Sequence, residues 1–183
     1  MMCLANYKTC RAVAFDSELG YCYMAKYLGE NCTTNLEIYH TELTCADPYT
    51  YNPISKTCFR LSETALNWDN ADAYCRANGE YLVTFATTEA SEWLRAKVKA
   101  DLYPSNAGWE GYPTIGGRKY LTEFEWKGIV TGVIPENGQP NSDWDVNEPA
   151  HSDSLKCVCI QGTGGGWHDM PCSMVKRFIC EYN

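Results

Sequence analysis

The 183-residue sequence has no run of Lys or Arg, and its 15 basic residues against 23 acidic ones leave a net charge of −8. Nucleic acids and anionic membranes are bound by clustered bases that neutralise phosphate, so neither is expected as a partner. No segment approaches the roughly 18 consecutive apolar residues needed to cross a bilayer, and membrane insertion is not expected. The opening Met1-Met2-Cys3 lacks the basic segment and apolar run of a signal peptide, so a mature form is the expectation. Also missing are the paired Cys-x-x-Cys knuckles of a structural zinc site. Finally, no nucleophile is accompanied by a recognisable orienting base, which argues against an enzyme.

What is present is cysteine, 11 residues in all, together with 45% hydrophobic and 13% aromatic residues. That hydrophobic share can build a packed core. The cysteine density without zinc spacing reads as an oxidised, secreted protein. The one close pair, Cys157-Val158-Cys159, expected to turn to opposite sides if it lies on a strand, suits two separate disulfides better than one tetrahedral ion. Asn31-Cys32-Thr33 fits the N-glycosylation sequon.

From Cys45 onward the pattern is regular. In "CADPYTYNPISKTCFRL" aromatic strand formers flank the turn signal Asn52-Pro53-Ile54-Ser55, so Cys45 and Cys58 are placed to close a short hairpin. "NWDNADAYCRANG" puts Trp68, Ala71, Tyr74, Cys75 and Asn78 on one helical face and ends at Gly79, where a left-handed cap favours glycine. After the strand-like "EYLVTF", Thr87 and Thr88 can cap a second helix with Ala90, Trp93, Leu94 and Val98 facing inward. Its early Glu89 and Glu92 and late Arg95, Lys97 and Lys99 suit the helix dipole.

Five short strands are expected in "PTIGG", "FEWKG", "CVCIQ", "GGWHDM" and "RFICEY". Between Gly128 and Pro149 lies a long stretch rich in Gly, Pro and Asn, expected to have no secondary structure of its own. Loops of about twenty residues of this kind are commonly functional. Residues 1 to 44 hold four cysteines without strong periodicity, and a separate small module stapled by disulfides is expected there.

Taken together, Cys45 and Cys58, Cys75 in the first helix, "TIGG", Glu148-Pro149-Ala150 and the ending "KCVCI...GWHDMPC...FICE" resemble the C-type lectin-like domain over residues 45 to 183. The resemblance implies an α+β fold: two helices, short antiparallel sheets and a long loop. It implies disulfides Cys45–Cys58, Cys75–Cys180 and Cys157–Cys172, and a cis bond before Pro149. Residues 3 to 24 are similar to part of a PAN/apple module, which implies Cys3–Cys10. A further bond is expected from this small module to Cys159, leaving one thiol of Cys3, Cys10, Cys22, Cys32 and Cys159 free or joined to a second chain. A homodimer, disulfide-linked, is the expected assembly, since weak single sites gain avidity in pairs.

In the family that this chain resembles, a calcium ion held by the long loop and the following strand bridges protein and sugar. Carried over by position, Glu148 and Asp169 are retained. Ala150 stands for an Asn or Asp, Leu155 for an acidic residue and His168 for an Asn. Calcium takes about six to eight oxygen ligands, so only weak calcium, or none, is expected, even if Asp153 shifts in for Leu155. Trp167 and Trp126 are read as core residues. The expected ligand is a glycan, gripped directly by Glu148, Asp169, His168, His151 and Asp153 with Trp144 packed on its apolar face. Charged acceptors favour N–H donors, so an N-acetylated hexosamine is preferred to a plain hexose. His151 and His168 near two carboxylates also raise zinc or copper. The alternative is a lectin-like domain reused to bind protein, mineral or ice.

Overall fold

The computed structural model describes residues 13–16, 21–24, 39–41, 45–102, 111–161 and 165–183. The chain divides into two compact units, Met1–Asp47 and Pro48–Asn183. In the first, β1 (Val13–Asp16), β2 (Tyr21–Met24) and β3 (Tyr39–Thr41) form an antiparallel sheet in chain order. Cys3, Cys10, Cys32 and the Asn31 sequon lie outside the described residues, as do the side chains that carry the PAN/apple likeness.

The second unit opens with a hairpin of β4 (Thr50–Asn52) and β5 (Thr57–Leu61). Its turn is held by Asn52, whose Oδ1 accepts from the Ile54 backbone N–H at 3.0 Å, the local bond that makes asparagine a turn former. Cys45 and Cys58 are both disulfide-bonded. Next comes α1 (Trp68–Ala77), started by Asn67, whose side chain accepts from the Asn70 N–H, and stopped at Gly79 with φ +75°. Trp68, Ala71 and Cys75 are buried as the spacing predicts, while Tyr74 stays 40% exposed. After β6 (Tyr81–Leu82), Thr87 Oγ1 accepts from the Ala90 N–H at 3.2 Å and starts α2 (Thr88–Leu102). The strand expected over "EYLVTF" is thus two residues long.

Five more strands follow: β7 (Thr114–Lys119), β8 (Phe124–Lys127), β9 (Thr131–Val133), β10 (Cys157–Ile160) and β11 (Trp167–Met170). They make one sheet in the order β11-β10-β7-β8-β9. The last strand, β12 (Ile179–Tyr182), returns between β5 and β6 to complete a sheet ordered β4-β5-β12-β6. The long stretch after Gly128 therefore does contain a strand, β9, and only the segment from Ile134 to Lys156 runs without one. "TIGG" is explained by contact: a Cβ at Gly117 would stand 2.5 Å from Val158 Cγ2, and one at Gly116 2.8 Å from the Leu82 carbonyl oxygen. The sheets close to this distance only around glycine.

Strand period sorts β10 between two cores. Val158 and Ile160 join Trp126, Trp144, Trp167 and Phe85, whereas Cys157 and Cys159 join Trp68, Met170 and Phe178. Residues i and i+2 share a face, so the two cysteines point into one core rather than to opposite sides, and only Cys157 of the two is bridged. Cys157 pairs with Cys172 and Cys75 with Cys180, as the resemblance implies. The expected bond from Cys159 to the small module is overturned. Its thiol is free, with no solvent exposure, because β10 is an interior strand and this face of it is packed. Burial pushes that thiol up to about 12, so it stays protonated and unreactive.

Candidate functional site

The segment between β9 and β10 folds back on itself through its own backbone. Asn137 Nδ2 donates to the carbonyls of Asp145 and Glu148, each at 2.8 Å, and the Glu148 N–H donates to the Asp145 carbonyl at 3.0 Å. Asn141, Asn147 and His151 all take positive φ, and the Glu148-Pro149 bond is cis. Asparagine tolerates the left-handed region better than most residues, so the Asn-rich composition is what allows the tight winding.

The base of the loop is fixed to α2 and β11 by a buried network. Asp143 Oδ2 accepts from Ser91 Oγ at 2.7 Å, Ser91 Oγ accepts from Trp167 Nε1 at 2.8 Å, and Arg95 Nη1 lies 3.4 Å from Asp143 Oδ1. Arg95 also donates to the Gly165 carbonyl. The Trp167 N–H donates to the Asp143 carbonyl at 2.6 Å, and a Cβ at Gly166 would stand 1.7 Å from that same oxygen. Asp143 is 9% exposed, and burial raises its carboxyl against the opposing pull of Ser91 and Arg95.

On this base four acidic or basic side chains converge. His168 Nε2 lies 2.9 Å from Asp145 Oδ2 and 3.0 Å from Gln161 Oε1, and its Nδ1 lies 3.2 Å from Glu148 Oε1. A doubly protonated ring can donate to a carboxylate on each side, and a neutral ring to only one. Asp169, 5% exposed, accepts through Oδ2 from the His151 backbone N–H at 3.1 Å. Glu148 faces Asp169 within hydrogen-bonding reach, and its carboxyl is raised first by burial and then by that neighbour. Glu148 Oε2 and Asp169 Oδ1 are both buried with no donor. Two facing carboxyls with orphan oxygens are stable when a proton, or a ligand's donor, lies between them.

The structure therefore brings together Glu148, Asp169 and His168, and adds Asp145 and Gln161. It does not bring in the rest. Trp144 is 7% exposed and its ring belongs to the core, with Nε1 donating to the Pro135 carbonyl at 2.9 Å. It cannot serve as the expected stacking platform, because the ring is buried and packs edge to face with Phe124 and Trp167. Asp153 lies exposed on a turn, and the groups acting on Glu148 are Asp169 and His168. The His151 ring faces Glu136 at 3.6 Å in a solvent-exposed pair; only its backbone serves the site. Trp167 and Trp126, read as core, are 0% and 2% exposed.

The fit to calcium is poor. Ala150 supplies no side-chain oxygen, His168 takes one oxygen each of Asp145 and Glu148, and two buried carboxylate oxygens fall short of a set of six to eight. Nor do the histidines build a zinc or copper site, since the two nitrogens of His168 face different carboxylates rather than one shared point. Asp145 and Gln161 went unmarked in the sequence. Strand register offered a signal for the second: Cys159 pairs with His168 across the ladder, which places Gln161 on the diagonal.

A profile of the lectin C-type domain matches residues 64–182. Snaclec botrocetin subunit beta from Bothrops jararaca is 23% identical over 127 residues, covering 68% of this chain and 89% of that protein. The structure of CEL-IV superposes with a TM-score of 0.59 at 23% identity, over 75% of this chain and 93% of that one. A calcium-independent type II antifreeze protein gives 0.56 at 23% identity, over 79% and 98%. With the profile spanning more than half of the sequence, the chain belongs to the lectin C-type domain family.

Proposed function

We propose that this chain is a secreted lectin that binds a glycan at the long-loop site through protein groups directly, with little or no help from calcium. The observation that carries this reading is the pair Glu148 Oε2 and Asp169 Oδ1, buried acceptors with no donor beside the engaged His168 ring. A ligand hydroxyl or acetamido N–H supplies the missing donor, and hydrogen bonds to charged acceptors are the stronger kind. An N-acetylated hexosamine suits such a pair better than a plain hexose. His168, already against Glu148, orients that carboxyl toward the ligand. The disulfides fit an extracellular protein, and a homodimer would compensate for weak single sites. With Cys159 sealed in the core, any interchain disulfide must use another cysteine.

A second reading is favoured by Ala150 and by the likeness to a calcium-independent antifreeze protein: the same surface turned to protein, mineral or ice. A glycan array probed with calcium and again with EDTA separates the two. The lectin reading expects the same glycans bound under both conditions and lost in Glu148→Ala and Asp169→Ala; no glycan bound under either condition favours the second.

A further inference from the structure

At the end of the four-stranded sheet lies a cleft of about 410 Å³ lined by Tyr49, Tyr81, Tyr182, Ile129, Asn78 and Asn183. None of these residues belongs to the long-loop site. We propose that this cleft is a second saccharide site, taking one neutral pyranose unit.

Its walls are held in place. Glu80, 3% exposed, forms the floor, with Oε1 accepting from Arg60 Nε at 3.0 Å and Oε2 from Arg60 Nη2 at 2.7 Å. The Tyr49 hydroxyl donates to Glu80 and accepts from Arg60 Nε at 3.0 Å. The Tyr49 ring meets Tyr182 edge to face with centroids 4.8 Å apart. Tyr81 carries the Arg76 guanidinium 5.1 Å from its centroid and still keeps 38% of its surface exposed. A site with its rings fixed beforehand loses little entropy on binding.

The chemistry of the lining selects the ligand. The Glu80 carboxylate is neutralised by Arg60, and the other side chains of the lining are uncharged, so no side chain in the cleft attracts an ion. Aromatic rings with polar tips match a molecule that has apolar C–H faces and hydroxyl edges, and the carboxamides of Asn78 and Asn183 offer both donors and acceptors. The volume falls in the range of small-molecule clefts. A peptide added as an extra strand is disfavoured, because the chain leaving β6 is already joined to β7 through the Gly116 N–H and the Val83 carbonyl at 2.8 Å.

Saturation-transfer NMR with methyl glycosides of glucose, galactose, mannose and N-acetylglucosamine tests the proposal on the full chain. The background is Glu148→Ala/Asp169→Ala, which silences the long-loop site. Transfer to sugar ring protons should persist there for at least one glycoside and weaken about tenfold on adding Tyr81→Ala, the loss of one ring contact. Asn183→Ala, an exposed change outside the core, should weaken it as well, and thermal melting checks that both variants fold. The proposal is overturned if no glycoside receives transfer in the silenced background, or if transfer survives both variants. Binding of an oligoproline probe without any sugar would overturn it too, in favour of a proline-rich peptide in the aromatic groove. The long-loop reading is judged separately, by glycan binding in Tyr81→Ala alone.

Discussion

Glu181 and Glu148 are both glutamates withdrawn from water, in regions that treat them differently. Glu181, on the interior strand β12, is 1% exposed, and its Oε1 accepts from the Thr84 N–H at 2.8 Å and from Thr84 Oγ1 at 2.7 Å. Neighbouring structure has supplied donors, and those bonds partly offset its burial. Glu148 instead faces another carboxyl and leaves one oxygen without any donor. A fold does not leave buried acceptors unmet without a cause. At Glu181 the core meets the carboxyl from within, whereas the long-loop site leaves a carboxylate deficit that a ligand can fill.

The sharpest way to break that contrast is to loosen the base on which the loop site stands. Asp143→Ala removes the closer of the two carboxylates paired with Arg95 and the acceptor of the buried Ser91 hydroxyl. It should cost about 3 kcal/mol of stability, the upper scale for losing a charged hydrogen-bond acceptor, read as a shift in the urea midpoint. A loss well below about 1 kcal/mol would show that the network braces nothing. Glycan binding should fall with it, because the Asp143 backbone and Trp167 hold the loop in place.

The second test turns on the sign of a titration. Burial raises Glu181 to about 7 against the hydrogen bonds from Thr84 and Thr57. A carboxyl whose folded value lies above its unfolded one favours the protonated fold. Its contribution is fully present below about pH 4.5 and is lost as pH climbs to about 7, up to about 3 kcal/mol. Glu181→Gln should therefore flatten the stability profile across that window and leave the variant more stable than wild type at pH 8. An unchanged pH profile would show that Glu181 ionises as freely as an exposed residue, and the contrast with Glu148 would collapse.

Glu148→Ala and Asp169→Ala come next. Removing one charged acceptor costs about 1.5 to 3 kcal/mol of ligand hydrogen bonding, roughly a tenfold to hundredfold drop in glycan affinity. Stability should hold or rise slightly, since each change relieves the crowding of two carboxyls. Equal loss of stability and binding would mean that the pair is structural, like Glu181.

How far these features could be read in advance depended on the distance over which their causes act. Helix α1 was legible because Trp68, Ala71 and Cys75 repeat at helical spacing and Gly79 ends it, all local causes. The two characterised disulfides and the cis bond followed from motifs. Trp144 was misread because a tryptophan beside a binding motif gives no sign of which way its ring faces; that is settled by Phe124 and Trp167, distant in the chain. Cys159 was misread for a similar reason, since only the sheet order makes β10 an interior strand. Asp145 and Gln161 meet at one nitrogen of His168, Nε2, through the winding of a loop and the register of a ladder, and neither is written in any one segment.

The smallest expected effect concerns calcium, and it bears directly on the contrast. If the deficit at Glu148 and Asp169 were an empty calcium site, added calcium would stabilise the fold by mass action. With His168 against Asp145 and Glu148 and no oxygen at Ala150, a dissociation constant above about 1 mM is expected, beyond which 1 mM calcium adds less than about 0.4 kcal/mol. For a chain of this size that is a rise of about 1 °C in Tm, readable by scanning calorimetry with and without EDTA. The converse experiment restores what is missing. His168→Asn, Ala150→Asn and Leu155→Glu together remove the ring that faces both carboxylates and add four side-chain oxygens, and this triple variant should gain a calcium-dependent rise of several degrees. A rise of that size in the wild type would show that the orphan oxygens belong to a metal rather than to a ligand's donor, and the direct-contact reading of the site would fall.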